Sequence, residues 1–545
     1  MNPPPIPAAQ QASIPLPPAY NTRIEEFREE EYPMLKEGNT YLDHGGTTLY
    51  AKSLVDRFSR DLISNLYGNP HSASTPSTLA GDRVNEIRIR ALQFFNADPN
   101  QFDLIFVANA TAAIKLVADC FRDYQSPTEN IKKTKGFWYG YHRDAHTSLV
   151  GVRETTNSTH RCFGSDDEVH RWIDGSENSA KSKLGPRKGQ VGLFAFPGQS
   201  NMTGRRLPLT WPGRLRAKYG DNMYSLLDAA ALATTCPIDL SNDSMAPDFT
   251  CVSFYKIFGF PNVGALIVRK NAGHMLERRK FFGGGTVDMV ISLDSAWHAL
   301  KDSSLHDRLE DGTLPFHSIV ALGHALDLHP QLYESMSRIS AHTAFLAKQL
   351  YNGIKSLTHS NGVPVCRIYK DPEAVYGDPN TQGATIAFNI QGPDGVLVRF
   401  TDVEKLADDN GIYIRAGGLC NPGGIATFLE FTRSDLHAAF SIGHRCSNPL
   451  VVTQGRATGV VRVSLGAMST LSDVDTLLIF LRENYVVDIP IPAAQLCTNC
   501  SAASFYLQKN ARTSTSSVLT RRTTKKWARN FSKFATTKKR IESAP

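Results

Sequence analysis

The chain has 545 residues, 41% of them hydrophobic and 20% charged, and its formal net charge is +7. This length predicts a large buried core with a second, smaller domain, and the composition is that of a globular protein. No segment has the unbroken apolar length of a membrane helix, and the nine scattered cysteines fit free thiols better than a disulfide framework. We therefore expect a cytoplasmic protein without a membrane span.

The positive charge is concentrated in the C-terminal part of the sequence. From Lys509 onward, eleven Lys or Arg accompany one acid, Glu542, so the rest of the chain carries a net −3. Charge blocks of this kind are usually solvated and disordered, which makes this tail a weak candidate for binding nucleic acid or another acidic partner. Cys497 and Cys500 form half a zinc site at most, since a tetrahedral site needs four ligands. We predict no metal.

Short apolar runs alternate with amphipathic stretches between about residues 100 and 270, which is typical of a mostly parallel sheet covered by helices. A helix is expected to begin near Thr111, because apolar residues recur at helical spacing over Ile114 to Phe121. The predicted strands are Leu104 to Val107, Val191 to Phe196, Tyr224 to Leu227, Phe249 to Phe254 and Gly264 to Val268.

A helical stretch from about Ile319 to Ile354 leads into a second region, where Thr385 to Ile390 and Val460 to Leu465 are predicted strands. Residues 173–190, rich in Ser, Lys and Gly, are typical of a surface insertion. The predicted parts are a disordered Pro-rich leader (1–35), a large domain (36–330), a small domain (331–485) and a disordered basic tail (486–545). The first residues of the large domain are expected to pack on the small domain.

Two strand ends carry the residue types that pyridoxal phosphate requires. Lys256 follows one predicted strand and Asp228 another, and ligands of such sheets lie outside the carboxyl ends of the strands. The amine can form a Schiff base, and the carboxylate can keep the ring nitrogen protonated. Cys420 lies in a glycine-rich loop that we expect to be mobile. Singly, these residues also fit a surface charge, a strand-end cap and an inert thiol.

Several motifs keep the order found in a known enzyme family. They are Tyr41-Leu42-Asp43-His44-Gly45-Gly46, Asn69-Pro70-His71-Ser72, Asn109-Ala110-Thr111, Ser253-Phe254-Tyr255-Lys256 and Arg415-x-Gly417-x-x-Cys420. Together they resemble the cysteine desulfurases of the class V aminotransferase fold. More narrowly, Pro197-Gly198-Gln199-Ser200-Asn201-x-x-Gly204, Phe282 to Thr286 and Gly459 to Ser464 are similar to the desulfurase part of eukaryotic molybdenum cofactor sulfurases.

This resemblance covers about residues 36 to 485 and implies an α/β protein of PLP-dependent aminotransferase fold type I. Its large domain would hold a mostly parallel seven-stranded sheet, followed by a smaller α/β C-terminal domain. The implied cofactor is pyridoxal 5'-phosphate, the substrate is L-cysteine and the assembly is a homodimer. The reaction would release L-alanine and leave a persulfide on Cys420. Lys256 would hold the cofactor and move protons, and His146 would stack on its ring.

The resemblance also implies a set of cofactor-binding residues. Asp228 would meet the ring nitrogen and Asn201 the phenolic oxygen. The phosphate would be bound by Ala110, Thr111 and Ser253, and by Thr313 of a neighbouring subunit. A helix N-terminus suits an anion, although an ordinary cap at Thr111 would look the same.

Two arginines are candidates for binding the substrate carboxylate. Arg462 lies between apolar neighbours on a predicted strand, and Arg415 lies close to Cys420. The planar guanidinium can hold a carboxylate through two hydrogen bonds. Arg462 is the stronger candidate of the two, and its alternative interpretation is an internal salt bridge.

Departures from the family pattern leave other functions open. Ala231 stands where many desulfurases have Gln or His, which removes one cofactor hydrogen bond. We also expect no counterpart of the C-terminal domain that receives molybdenum cofactor in full-length sulfurases, so sulfur transfer to molybdenum cofactor, or to a separate acceptor protein, rests on analogy. The alternatives are another class V reaction (transamination, elimination or racemisation) with Cys420 incidental, and a non-catalytic interaction protein that kept the fold.

Overall fold

The computed structural model describes residues 19–36, 38–124, 136–156, 159–175, 185–187, 189–453 and 455–487. Residues 1–18 of the predicted leader, the basic tail from residue 488 with Cys497 and Cys500, and much of the predicted insertion at 173–190 lie outside this part of the chain. Within the described part, no helix has the length and apolar character needed to cross a membrane.

The strands are numbered in chain order. They are β1 Thr40–Tyr41, β2 Phe102–Val107, β3 Trp138–His142, β4 His160–Phe163, β5 Gly192–Pro197, β6 Met223–Asp228, β7 Phe249–Ser253, β8 Gly264–Arg269, β9 Val287–Ile291, β10 Trp297–Leu300, β11 Cys366–Tyr369, β12 Thr385–Ile390, β13 Ile412–Tyr413, β14 Arg415–Gly417, β15 Val452–Thr453, β16 Arg456–Ala457 and β17 Val460–Ser464. The five strands predicted between residues 100 and 270 correspond to β2, β5, β6, β7 and β8.

The α-helices are numbered in the same way. They are α1 Arg23–Glu31, α2 Lys52–Ser64, α3 Thr75–Phe94, α4 Ala110–Asp123, α5 Thr147–Gly151, α6 Asp166–Asp174, α7 Trp211–Tyr219, α8 Tyr255–Phe258, α9 Leu305–Leu309, α10 Phe316–Tyr333, α11 Met336–Ser356, α12 Phe400–Asp409, α13 Pro422–Phe428, α14 Arg433–Ser441 and α15 Leu471–Tyr485. The helix predicted near Thr111 is α4. It begins after Asn109, whose side chain accepts a hydrogen bond from the Ala112 amide.

Seven strands form the main sheet, in the order β2-β8-β7-β6-β5-β3-β4. β8 is antiparallel to its neighbours β2 and β7, and the other pairs are parallel. Every residue of β3, β5, β6 and β7 is buried, because helices cover both faces. The predicted mostly parallel seven-stranded sheet of fold type I is therefore confirmed.

Side chains of the main sheet pack into two hydrophobic cores, one on each face. In β5, Phe194 and Phe196 belong to one core and Leu193 and Ala195 to the other. This alternation follows from the two-residue repeat of a strand. Helices α3 and α10 contribute to the first core and α4 to the second. The main sheet lies between these two cores. Asp228 ends β6 and Lys256 follows β7, so both lie at the carboxyl-end edge of the parallel strands.

A second, four-stranded antiparallel sheet has the order β11-β12-β17-β14. Its strands β12 and β17 are the two that the sequence predicted in this region. β1 pairs with β13, and the Ser464 amide donates to the Leu42 carbonyl at 2.7 Å. Residues 40–43 therefore lie beside this small sheet, although they precede the main sheet in the chain.

The helical stretch predicted over residues 319–354 is divided into α10 and α11. Glu334 lies between the two helices with a φ of +67°, in the left-handed region, which stops helix propagation. Ser335 then starts α11 by accepting a hydrogen bond from the Arg338 amide. The apolar spacing continues across this break, so periodicity alone did not reveal it.

Candidate active site

Lys256 lies on α8, a single helical turn that begins directly after β7. Gly259 ends this turn with a φ of +77°, and a Cβ there would come within 2.4 Å of the Leu49 backbone, so only glycine fits. Burial lowers the pKa of the Lys256 amine, an effect opposed by the nearby Asp228 carboxylate and reinforced by Arg462. A lowered pKa increases the fraction of neutral amine, which is the form that attacks an aldehyde.

Asp228 and His146 come from neighbouring parts of the same sheet edge. Asp228 ends β6, is buried, and accepts a hydrogen bond from the Ala230 amide at 3.0 Å. His146 caps α5, and its Nδ1 accepts from the Ser148 amide at 3.2 Å. Burial lowers the pKa of His146, while the charges of Asp228 and Lys256 act on it in opposite directions. The amine, the carboxylate and the imidazole therefore lie within electrostatic reach of one another.

The hydroxyl groups of Ser253 and Ser148 lie at the N-terminus of α4. Ser253 Oγ accepts a hydrogen bond from the Ala110 amide at 3.0 Å, which ties the end of β7 to the start of α4. Thr111 Oγ1 lies 2.8 Å from Ser148 Oγ, and Ser148 Oγ lies 3.0 Å from His146 Nδ1. Helix amides, the helix dipole and hydroxyls together suit a phosphate. We call the set formed by Ala110, Thr111 and Ser253 the α4 cradle. Ser148, which links the α4 cradle to His146, was not identified from the sequence.

Arg462 and Arg415 bind the same carboxylate, that of Asp43. Arg462 Nη2 lies 2.5 Å from Asp43 Oδ1, and Arg415 Nε donates to Asp43 Oδ2 at 2.8 Å. Arg462 is buried and also donates to the Asn201 carbonyl at 2.9 Å, whereas the Arg415 side chain is 48% exposed. In this structure Arg462 thus forms the internal salt bridge that was its alternative interpretation. Asp43 was part of a quoted motif, but no spacing in the sequence links it to arginines so far along the chain.

Cys420 is exposed, and its loop is tied to the main sheet. The Cys420 carbonyl accepts from the Thr147 amide at 2.9 Å, one residue after His146. The Leu419 carbonyl accepts from Asn201 Nδ2 at 2.6 Å. The Asn201 side-chain amide, which the family pattern assigns to the cofactor, therefore binds the loop that carries Cys420 (the thiol loop).

Thr313 does not join this group in the described part of one chain. It is exposed, and its hydroxyl accepts from Asn69 Nδ2 at 3.4 Å. The nearby Gly283 amide donates to Asp311 at 2.9 Å. The contact of Thr313 with the phosphate of a neighbouring subunit, which the resemblance implies, stays a prediction.

Residues 40–429 match the aminotransferase class V family. The chain belongs to this family. The match confirms the family that was expected from the sequence. It also confirms the cofactor of that family, pyridoxal 5'-phosphate. By family, the chain is a PLP-dependent transferase.

Curated relatives of this member of the class V family bear the name molybdenum cofactor sulfurase. The protein from Aspergillus niger is 55% identical over 471 residues, which cover 86% of this chain and 55% of that protein. The protein from Botryotinia fuckeliana is 54% identical over 492 residues, covering 90% and 58%. The chain thus spans about half the length of the curated relatives it matches.

Solved cysteine desulfurases share the fold of this class V chain. The apo enzyme of Thermococcus onnurineus NA1 has a TM-score of 0.63 at 19% identity, covering 85% of this chain and 98% of that one. The enzyme CsdA of Escherichia coli has a TM-score of 0.61 at 20% identity, covering 84% and 98%. At these identities the likeness concerns the fold, and it supports fold type I.

The residues of this class V chain fit the family's cofactor. A lysine of lowered pKa, a buried carboxylate and a helix N-terminus with hydroxyls are the groups that its aldehyde, ring nitrogen and phosphate need. They are Lys256, Asp228 and the α4 cradle of Ala110, Thr111 and Ser253. Asn201 is the exception, because its amide donor is already used by the Leu419 carbonyl.

Proposed function

We propose that this chain is a PLP-dependent cysteine desulfurase of the molybdenum cofactor sulfurase type. It converts L-cysteine to L-alanine and forms a persulfide on Cys420. The observation that carries the proposal is the anchoring of the Cys420 backbone next to His146. Its carbonyl binds the Thr147 amide, and the adjacent His146 lies within electrostatic reach of Lys256 and Asp228.

Each predicted catalytic residue has a chemical role in this proposal. Bound pyridoxal phosphate supplies an electron sink. Lys256 holds the cofactor and moves the proton at the substrate α-carbon, which requires an amine of lowered pKa. Asp228 would keep the ring nitrogen protonated, and His146, whose pKa is lowered by burial, would accept or return a proton at the site.

The sulfur transfer balances without an external oxidant. The Cys420 thiol attacks the sulfur of the bound cysteine, so an S–S bond forms as the substrate C–S bond breaks. The substrate β-carbon gains a proton and is reduced to the methyl group of alanine. The transferred sulfur is oxidised to the persulfide level on Cys420. Exposure of Cys420 allows an acceptor to take that sulfur.

The substrate carboxylate is assigned to Arg462 and Arg415. Both guanidinium groups are oriented by Asp43, with Arg462 buried and Arg415 half-exposed. A bidentate clamp on a carboxylate orients an amino acid for reaction at its α-carbon. In this proposal the substrate carboxylate shares the two cations with Asp43.

The assembly and the sulfur acceptor belong to the same proposal. The homodimer rests on the family resemblance, which assigns Thr313 to the phosphate of a neighbouring subunit, and the exposure of Thr313 leaves it accessible for that contact. Molybdenum cofactor as the acceptor is supported by the name of the curated relatives, of which this chain spans about half. A separate acceptor protein is the alternative route for the same persulfide.

The test is to incubate the purified, cofactor-loaded protein with L-cysteine. We expect alanine to appear and mass spectrometry to find one added sulfur on Cys420. Lys256→Ala should abolish both products, and Cys420→Ser should abolish the persulfide. Cys446→Ser, which removes another exposed thiol, is the matched control and should change neither. Undiminished turnover of cysteine in Cys420→Ser would instead favour a class V reaction in which this thiol is incidental.

A further inference from the structure

Asn421 is fully buried although it directly follows the exposed Cys420. Its Nδ2 donates to the Asn201 side-chain oxygen at 3.0 Å and to the Asp144 carbonyl at 3.2 Å. Its Oδ1 accepts from the Gly424 amide at 2.8 Å and so caps α13. A buried amide with both ends satisfied is costly to move. Asn421 therefore holds the thiol loop against the segments that follow β3 and β5.

The two residues before Asn421, Leu419 and Cys420, are also held by contacts outside the thiol loop. Asn201 uses both of its side-chain polar atoms on the loop, one on Asn421 and one on the Leu419 carbonyl. Leu419 and Cys420 have φ angles of +55° and +53°, in the left-handed region. Such angles are unfavourable for residues with a side chain and persist only where surrounding contacts enforce them. Three consecutive residues are thus anchored.

The start of α13 is in close contact with the backbone that leads to His146. A Cβ added to Gly423 would lie 2.1 Å from the Arg143 carbonyl oxygen, so only glycine permits this approach. Gly418, by contrast, faces open space, with no atom within 4 Å of a Cβ added there. One glycine of the predicted mobile loop therefore serves packing, whereas the other does not.

We propose that Asn421 is a positioning residue for the Cys420 thiol. Its side-chain amide fixes the loop on residues 143–147 and on Asn201, so that the thiol is presented from a set position beside Lys256 and His146. The catalytic part of this inference rests on the proposed desulfurase function. The anchoring part does not, and it can be measured separately.

Asn421→Asp is the most direct test. The new carboxylate keeps an oxygen for the Gly424 amide, but it places a second acceptor against the acceptors Asp144 O and Asn201 Oδ1. We expect faster hydrogen exchange at the amides of residues 419–421, 423, 424 and 147 than in the unaltered protein. We also expect kcat for persulfide formation to fall about 10- to 100-fold, with KM for cysteine changed less than about twofold. Asn410→Asp, at an exposed helix end, is the matched control.

Gly423→Ala is the second variant, because it displaces the loop from its other side, and Gly418→Ala is its control. Both Asn421→Asp and Gly423→Ala should reproduce the same split between kcat and KM. Unchanged exchange over residues 419–424 in both variants would overturn the anchoring. Faster exchange with unchanged kcat would overturn the positioning role. A cofactor-loaded unaltered protein that forms no persulfide would sink the proposed function, and exchange would then still decide whether Asn421 anchors the loop.

Discussion

Asp43 and Arg462 form a buried ion pair between residues that lie 419 positions apart in the chain, with 2.5 Å between Oδ1 and Nη2. Arg415 donates to the other oxygen of the same carboxylate at 2.8 Å. Both arginines assigned to the substrate carboxylate are therefore already oriented by one residue of the protein.

Asp43→Asn should destabilise the fold strongly. It leaves the buried Arg462 guanidinium without a compensating charge, and breaking one half of a buried pair costs about 3–5 kcal/mol. Denaturant unfolding followed by circular dichroism measures the free energy of unfolding. Arg415→Ala removes the half-exposed partner and should cost less than about 1 kcal/mol. Equal losses in the two variants would contradict the assignment of Arg462 as the buried member of the pair.

Asp228→Asn should preserve the fold and impair the chemistry. The amide oxygen can still accept from the Ala230 amide, but the negative charge opposite the cofactor's ring nitrogen is lost. We expect alanine formation to slow on the order of 10²-fold. Because Asp228 raises the pKa of Lys256, the variant should also capture the cofactor at lower pH, as followed by borohydride trapping at Lys256.

The control for that experiment is Asp56→Asn, which alters an exposed ion pair with Lys52. It should leave both the rate and the pH dependence of cofactor capture unchanged. An Asp228→Asn protein that makes alanine at the rate of the unaltered protein would remove Asp228 from the site.

Ser253→Ala should weaken cofactor binding. The Ala110 amide loses its acceptor, and a bound phosphate loses a hydroxyl donor. One lost hydrogen bond of this kind is worth about 1 kcal/mol or slightly more, which corresponds to roughly a tenfold increase in the Kd for pyridoxal phosphate. Equilibrium dialysis measures it. Ser356→Ala, at the exposed end of α11, should not change the Kd. An unaltered Kd in Ser253→Ala would mean that the phosphate binds elsewhere.

His329 should make the protein acid-sensitive. Burial lowers its pKa from 6.5 to about 4, so between these pH values the unfolded chain binds a proton that the folded chain excludes. Stability is therefore lost as the pH falls from 6.5 towards 4, by on the order of 3 kcal/mol for this one group. His44 and His342, with pKa values also lowered to about 4, add to the same trend.

His329→Phe tests this contribution, because the ring packs against Phe258 and Tyr333 and a phenyl group can take its place. The fall in Tm between pH 6.5 and 4 should be smaller in this variant than in the unaltered protein. His437→Phe, at an exposed position of α14, is the control. Parallel pH curves for the unaltered protein and His329→Phe would show that this histidine does not contribute.

The local features of the site were predictable because their signals are local. The Ser253 to Lys256 motif combines a β-prone run with a strand-end amine, and Asp228 repeats the pattern with a carboxylate. The apolar spacing over Ile114 to Phe121 marks α4 within a few residues of its start at Ala110. Strands β3 and β4 were missed, since Trp138–His142 and His160–Phe163 show neither a plain apolar run nor clear alternation.

By itself, the sequence determined the alternating elements of the main sheet, the lysine and carboxylate at its edge, and the thiol that follows far downstream. Only the tertiary structure decided that Asp43 binds both arginines, that Asn201 serves the thiol loop, and that Asn421 is buried beneath Cys420. The physical reason is distance along the chain. Periodicity and capping act over a few residues, whereas these hydrogen bonds join positions 218 to 419 residues apart, whose partners are chosen by packing.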